Sequence, residues 1–302
     1  MRETSVVRLL PAIAAALQAG SAVVALESSV FAQGLPIPVN ADAAARMSRA
    51  VERAGAVPAL AAVVRGVASF GLAPADLERF LRRDGVSKVA ARDLALCMAR
   101  GADGATTVSA TLALCGQAGI PVFATGGIGG VHREPAFDES ADLVELGRSS
   151  CIVVCAGAKA ILDLPATMER LDTLGVPVVG YRCDELPGFF TATTGIPLAQ
   201  RLDSPADIAR AFTLHRALGR AGAMLIVQPL RPADALDRQL VDGAITTALA
   251  EARRAHVRGA AVTPFLLGAV ERETGGRSLA ANLALLEQNA TLAGQIAVAL
   301  AA

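Results

Sequence analysis

Six short apolar runs recur along the chain, and each leads through a polar or glycine-rich turn toward an amphipathic stretch. They are "AVVAL" (22–26), "ALAAVV" (59–64), "PVFAT" (121–125), "CIVVCA" (151–156), "VPVVGY" (176–181) and "AMLIVQ" (223–228). Helical patterning occupies 40–54, 107–118, 139–147, 204–219 and 234–256. Short continuous apolar runs bounded by turns describe strands buried on both faces, and intervening helices require crossover connections. The expected fold is α/β, a three-layer α/β/α arrangement with a largely parallel central sheet. Asn40, Ser140 and Ser204 are the expected helix N-caps, and Ser278 is expected to cap the final helix after a Gly-Gly break. "VVRGVASFG" reads as a hairpin added to the sheet. No linker, low-complexity tract or fixed-period repeat interrupts the chain, so residues 1–302 are expected to form a single domain.

Composition excludes several classes of function. The 28 basic and 28 acidic residues balance, which argues against a polyanion-binding surface. Aromatic residues make up 3%, with no Trp and one Tyr, which argues against a base-stacking platform for single-stranded nucleic acid. The cysteines at 97, 115, 151, 155 and 183 form no CxxC pair. They read as buried thiols in a reducing, cytoplasmic compartment rather than as zinc ligands. The charge-free stretch Leu9–Leu26 is interrupted by Pro11, Gln18, Gly20 and Ser21 and reads as a helix followed by a strand, not a membrane span. Glu3 and the lack of a cleavage site argue against a signal peptide.

In open parallel sheets, ligands lie beyond the carboxyl ends of strands. Four such ends carry chemistry: "ESSVFAQGLP" after 22–26, "GGIGGVH" after 121–125, "GAK" after 151–156 and "RCDELPG" after 176–181. Glu27 is a loop carboxylate or a general acid kept protonated by apolar neighbours. The loop "TGGIGGVH" (125–132) matches neither nucleotide-binding glycine spacing. It is an ordinary tight loop or, with His132 and Arg133, an oxyanion site. Asp138, Glu139, Asp142 and Glu145 form either a solvated acidic first turn or a site for a hard divalent cation. Asp138 and Asp142 share a face if that helix starts early. Lys88 is a surface lysine or a phosphate or sugar contact. Lys159, at the end of an apolar strand, either snorkels to water or is a nucleophilic amine.

These segments occur in one order: "VALESSVFAQGLPIPVN", "GATTVSATLALC", "VFATGGIGGVHRE", "FDESADLVEL", "VVCAGAKAILDLPATMERL", "GYRCDELPGFF" and "VTPFLL…TGGRSLAANLALLEQNA". Together they resemble the pseudouridine-5′-phosphate glycosidases, also called the indigoidine synthase A-like family, from about Ala22 to Ala290. The resemblance implies an α/β/α homotrimer that reversibly splits pseudouridine 5′-phosphate into uracil and ribose 5-phosphate with a divalent metal, typically Mn2+. It implies Glu27 as proton donor, Lys159 as nucleophile and Asp138 as metal carboxylate. It places substrate at Lys88, Val108, Ser140, Ala141 and Asp142, with Thr107, Thr125, His132 and Asn282 also lining the site. The chain reads Ala32-Gln33-Gly34 where relatives usually read Ser/Thr-His-Gly. It reads Lys88-Val89-Ala90-Ala91-Arg92-Asp93 where they usually read Lys-x-Ser-Arg-Arg-Asp. Two other readings stand beside this one: a Schiff-base enzyme acting on a related C-nucleotide or in a pigment pathway, and a non-catalytic nucleotide-binding protein.

Overall fold

The structure, a computed structural model, describes residues 6–134 and 138–302. Phe137, the first residue of the acidic segment, and Glu3 lie outside the described residues. The first half runs β1 (Val7–Leu9), α1 (Pro11–Gln18), β2 (Val23–Glu27), α2 (Val39–Arg53), β3 (Val57–Val64), β4 (Val67–Phe70), α3 (Pro74–Arg82), β5 (Val86–Val89), α4 (Leu94–Ala99), β6 (Asp103–Thr106), α5 (Val108–Ala118) and β7 (Val122–Ala124). The second half runs α6 (Ala141–Leu146), β8 (Ile152–Cys155), α7 (Leu164–Thr173), β9 (Val178–Tyr181), β10 (Gln200–Leu202), α8 (Pro205–Ala217), β11 (Met224–Val227), α9 (Arg238–Arg254), α10 (Val262–Glu273) and α11 (Arg277–Ala301).

The strands form one eleven-stranded sheet with the path β1-β4-β3-β2-β7-β8-β11-β9-β10 and a side branch through β6 and β5. Every pairing is parallel except β3–β4 and β3–β6. Strands β2, β7, β8 and β11 are buried along their whole length. That burial requires a helical layer on each face, and it explains why these strands carry uninterrupted Val, Ile, Leu and Ala. All six expected strands are present. The expected hairpin is β3–β4, turning through Arg65 and Gly66, which both have positive φ (48° and 78°). A Cβ at Gly66 would lie 2.6 Å from the Met98 carbonyl oxygen, so only glycine fits there.

Two caps fall where the sequence places them. Ser140 Oγ accepts from Asp142 N (3.2 Å), and Ser204 Oγ accepts from Asp207 N (3.1 Å). Two do not. Asn40 lies inside α2, buried, where its Nδ2 donates to the carbonyls of Phe31 (3.0 Å) and Leu81 (2.8 Å). The N-cap of α11 is Gly276, and Ser278 instead donates its backbone N–H to Thr274 Oγ1 (3.2 Å). Helix α6 begins at Ala141, so Asp138 precedes it and does not share a helical face with Asp142.

Among the described residues one helix, α11, is long and apolar enough to cross a membrane by length and composition. Half of it is buried in the protein, where it packs on α2, α8 and the central strands as a core helix. Helix α11 lies against the end of α2 at Gly294, where a Cβ would lie 2.5 Å from Ala54 Cβ and 3.3 Å from the Val51 carbonyl oxygen. Gly294→Val is therefore expected to destabilise the protein by about 1–3 kcal/mol through overpacking. The check is a lowered urea midpoint with an unchanged slope.

Candidate active site

The site arises from an unusual meeting of strands. Strand β2 runs parallel to β3 and ends with Glu27 opposite Ala61. Strand β6 runs antiparallel to β3, with Ala105 opposite Ala62. Because β4 takes the other edge of β3, β2 and β6 lie in line along one edge and their carboxyl ends meet beside Ala61. Thr106 seals the junction. Its N–H donates to Ser28 Oγ (2.9 Å), its hydroxyl donates to the Ala61 carbonyl (2.8 Å), and Thr111 Oγ1 donates to it (3.0 Å). Strand β5 follows β6 in parallel and brings Lys88 opposite Ala105. The loops after β7 and β8 are tied together by a bridge between Ile128 and Ala158, and Lys159 N–H donates to the Ile128 carbonyl (3.1 Å). Five strand ends thus open on one cleft of ≈ 340 Å³.

Glu27 is buried at the inner wall. Ser29 Oγ donates to its Oε2 (2.6 Å), and Thr125 Oγ1 donates to its Oε1. Desolvation raises its pKa above the ordinary 4.5, and the nearby Asp142 charge adds to the rise. Lys159 and the two hydroxyl donors oppose the shift without cancelling it. The support for this carboxyl extends to the far layer. Asn289, buried on α11, donates Nδ2 to the Thr125 carbonyl (2.8 Å) while its Oδ1 accepts from Gln228 Nε2 (3.0 Å).

The cations face this acid. Lys159 is half-buried rather than enclosed. Lys88 is exposed over the cleft mouth, yet desolvation by the cleft walls and repulsion from Lys159 hold its amine below the ordinary lysine value. Asp142 and Glu27 pull the other way. Burial also lowers His132, helped by Lys159 and Lys88 and opposed by Asp138. The carboxylate of Asp142 is fully engaged. Oδ1 accepts from Ser109 N (2.9 Å) at the start of α5, and Oδ2 accepts from Gly129 N (2.9 Å) in the glycine loop, so it clamps opposite walls together. A Cβ at Gly129 would meet Ser140 Oγ at 2.2 Å, so this glycine serves close packing.

Of the residues expected at the site, Glu27, Lys88, Thr107, Val108, His132, Asp138, Ser140, Ala141, Asp142, Lys159 and Asn282 line the cleft. Thr125 does not; it lies behind Glu27 and acts through it. Ser29, Gln33 and Phe189 also line the cleft but were not singled out as contacts in the sequence. Phe189 adopts φ +66°, uncommon for a bulky residue, and a Cβ at Gly127 would strike its ring at 2.6 Å. Among the described residues no three His, Cys, Asp or Glu side chains converge as a metal cage. The Asp138 carboxylate has no hydrogen-bond donor among the described residues, and His132 is its neighbour. The Asp138 carboxylate suits a hard cation that keeps water and ligand oxygens in most of its shell.

The sequence model for "Indigoidine synthase A like protein" matches residues 12–299. The chain belongs to the indigoidine synthase A-like family. Within this family, it is 64% identical to the pseudouridine-5′-phosphate glycosidase of Gemmatimonas aurantiaca, across 94% of this chain and 93% of that one. It is 52% identical to the enzyme of the same name from Herpetosiphon aurantiacus, across 97% of both chains. Among solved structures, the prealnumycin C-glycosynthase AlnA, in complex with ribulose 5-phosphate, superposes with a TM-score of 0.91 at 39% identity, over 98% of this chain and 97% of that one. An indigoidine synthase A-like protein from Thermotoga maritima gives 0.90 at 33% identity with the same coverage. Relatives of this identity and coverage make the chain an enzyme.

Because the folded-state pKa of Glu27 is raised, the native protein holds this proton more tightly than the unfolded chain does. Stability from this group is fully present below about pH 4.5 and is lost as pH rises through the folded value. Glu27→Gln should therefore raise the melting temperature relative to the native protein at pH 8, with the difference shrinking toward pH 4. A constant difference across that range would remove the assignment of a desolvated carboxyl.

Proposed function

We propose that this protein reversibly cleaves the carbon–carbon glycosidic bond of pseudouridine 5′-phosphate, giving uracil and ribose 5-phosphate. The observation that carries this reading is Glu27, a buried acid with a raised pKa that feels the charge of Lys159 in the same cleft. The names of the Gemmatimonas and Herpetosiphon relatives support the substrate, and the sugar phosphate held by the AlnA neighbour supports the kind of ligand.

The substrate explains the residue types. A two-carboxylate glycosidase protonates a leaving oxygen, and a carbon–carbon bond offers none. Glu27 instead gives its proton to the ribose ring oxygen, and the C1′–O4′ bond opens with its electron pair moving to that oxygen. The amine of Lys159 bonds to C1′, and the positively charged nitrogen that results passes a proton to the Glu27 carboxylate. Glu27 gives this proton to C5 of the uracil, the C1′–C5 bond breaks, and the nitrogen lone pair closes a C=N bond to C1′. Water adds to this imine, its proton returns to Glu27, and the C–N bond breaks to release ribose 5-phosphate and regenerate the amine. Asp138, with His132 beside it, would hold a divalent cation such as manganese, which supplies charge neutralisation for the phosphate. Lys88, on the cleft wall, pairs with substrate oxygens in this reading, and Asp142 joins the walls through Ser109 and Gly129.

The first test is uracil release from pseudouridine 5′-phosphate beside unphosphorylated pseudouridine. Borohydride added during turnover should inactivate the enzyme and leave one sugar-phosphate mass on the peptide containing Lys159. Lys159→Arg should be inactive and unlabelled, because a guanidinium stays protonated. Normal turnover in that variant would dismiss the covalent route. Glu27→Gln should lower kcat by ~10²–10⁴-fold, the span expected for a general acid. Exhaustive chelation should abolish turnover, with manganese restoring the native enzyme but not Asp138→Ala; full activity after chelation would reject the cation site.

A further inference from the structure

Lys159 belongs to no helix or strand; it lies between β8, which ends at Cys155, and α7, which starts at Leu164. A long flexible side chain is placed no better than the backbone that carries it, so the contacts of this loop decide where the amine can reach. One set of contacts comes from the glycine loop. Ala156 N–H donates to the Gly126 carbonyl (2.9 Å), Ile128 N–H to the Gly157 carbonyl (3.1 Å) and Lys159 N–H to the Ile128 carbonyl (3.1 Å). Gly126 and Gly127 have no side chains with which to brace the pairing.

The brace comes from the segment after β9. Phe190 N–H donates to the Gly188 carbonyl (2.8 Å), which closes a three-residue turn on Phe189 at φ +66°. A γ-turn of this hand is rare and strained, and a bulky residue bears it only where its surroundings enforce it. The turn directs the Phe189 N–H to the Ala156 carbonyl (3.2 Å). It also lays the ring on Gly127, where a Cβ would meet Cδ2 and Cε2 at 2.6 Å. The ring is buried, with Phe190 edge-to-face against it at 4.7 Å between centroids. The same segment abuts the Lys159 loop once more, since a Cβ on Gly157 would lie 2.6 Å from the Pro187 carbonyl oxygen. Glycine at position 189 would take this φ without strain but could not supply the ring. We propose that Phe189 is a positioning residue, whose turn and ring clamp the Lys159 loop against the glycine loop and so fix the approach of the amine to a sugar C1′. This rests on the reading of Lys159 as the nucleophile.

The test is reductive trapping of ribose 5-phosphate by cyanoborohydride, with manganese present, on the native protein, Phe189→Gly and Phe189→Ala. The readout is the rate at which the Lys159 peptide gains the sugar-phosphate mass at saturating ligand. Calorimetry in a Lys159→Arg background, where no imine forms, gives the non-covalent affinity for ribose 5-phosphate. Urea unfolding gives stability. Phe189→Gly should trap about 10–100-fold more slowly than the native protein, the span expected when a reacting group is displaced by about 1 Å or less. Its non-covalent affinity should stay close to native. Phe189→Gly should also be more stable than Phe189→Ala, because it relieves the positive φ, yet trap no faster. Phe189→Leu is compared with the native protein in the same way if neither small variant folds. A native trapping rate in a folded variant would overturn the proposal, as would a rate that rises with stability from alanine to glycine, the mark of a merely structural role. Affinity lost in step with the trapping rate would make the ring a sugar contact and overturn it as well. Each of these failures leaves the functional reading standing when the native protein is trapped at Lys159. If the native protein is not trapped there, the covalent reading fails and this proposal with it.

Discussion

The site depends on β2 and β6 meeting end to end on one edge of β3. A parallel sheet normally aims all its carboxyl ends one way, and a ligand gathers contacts from neighbouring strands alone. Here a short antiparallel strand adds a second set of ends that faces the first. Glu27 and Ser28 arrive from one side, and Thr106, Thr107 and, through β5, Lys88 from the other. Opposed termini would leave buried N–H and carbonyl groups unpaired, which buried backbone does not tolerate. The hydroxyls of Ser28, Thr106 and Thr111, all buried, supply the missing partners. Small polar residues at the junction are therefore a structural requirement of placing acid and amine on facing walls.

Two carboxyl groups a short distance apart have opposite duties because their surroundings differ. Glu27 receives two hydroxyl donors but is enclosed by apolar strand, and desolvation outweighs them. Asp142 receives two backbone N–H groups at the start of helices or in a loop, and its role is to join walls. The clustered cations gain from both charges, so the lowered state of Lys88 reflects burial and Lys159 working against that attraction.

Much of this was legible in the sequence. Continuous apolar runs located six strands because these strands are largely buried, and the residues that follow three of them supplied Glu27, the glycine loop with His132, and Lys159, whereas none of residues 182–188, after the fourth, lines the cleft. Strands β5 ("VSKV"), β6 ("DGAT") and β10 ("QRL") were not readable as apolar runs. They are strands because neighbours pair with them, not because of their own patterning. Asn40 carries a cap-like side chain, yet two carbonyls from distant segments claim its amide. The role of Thr125 as a partner of Glu27 spans 98 residues of sequence, and the tie from Asn289 to Thr125 spans 164. No local pattern encodes contacts of that range. Position after the glycine loop marked an acidic cluster, and only the family resemblance singled out Asp138 within it; the helix starts too late for Asp138 and Asp142 to share a face.

Helix α11 carries both Asn282 at the cleft and Asn289 behind Thr125, two turns apart. It follows all eleven described strands in the sequence, whereas the acid it steadies ends β2. During synthesis on a ribosome, every strand would emerge before the segment that holds the Thr125 backbone in place. A nascent chain could thus assemble its sheet and still present a loosely held Glu27. Chemical competence would then follow the assembly of the sheet rather than accompany it.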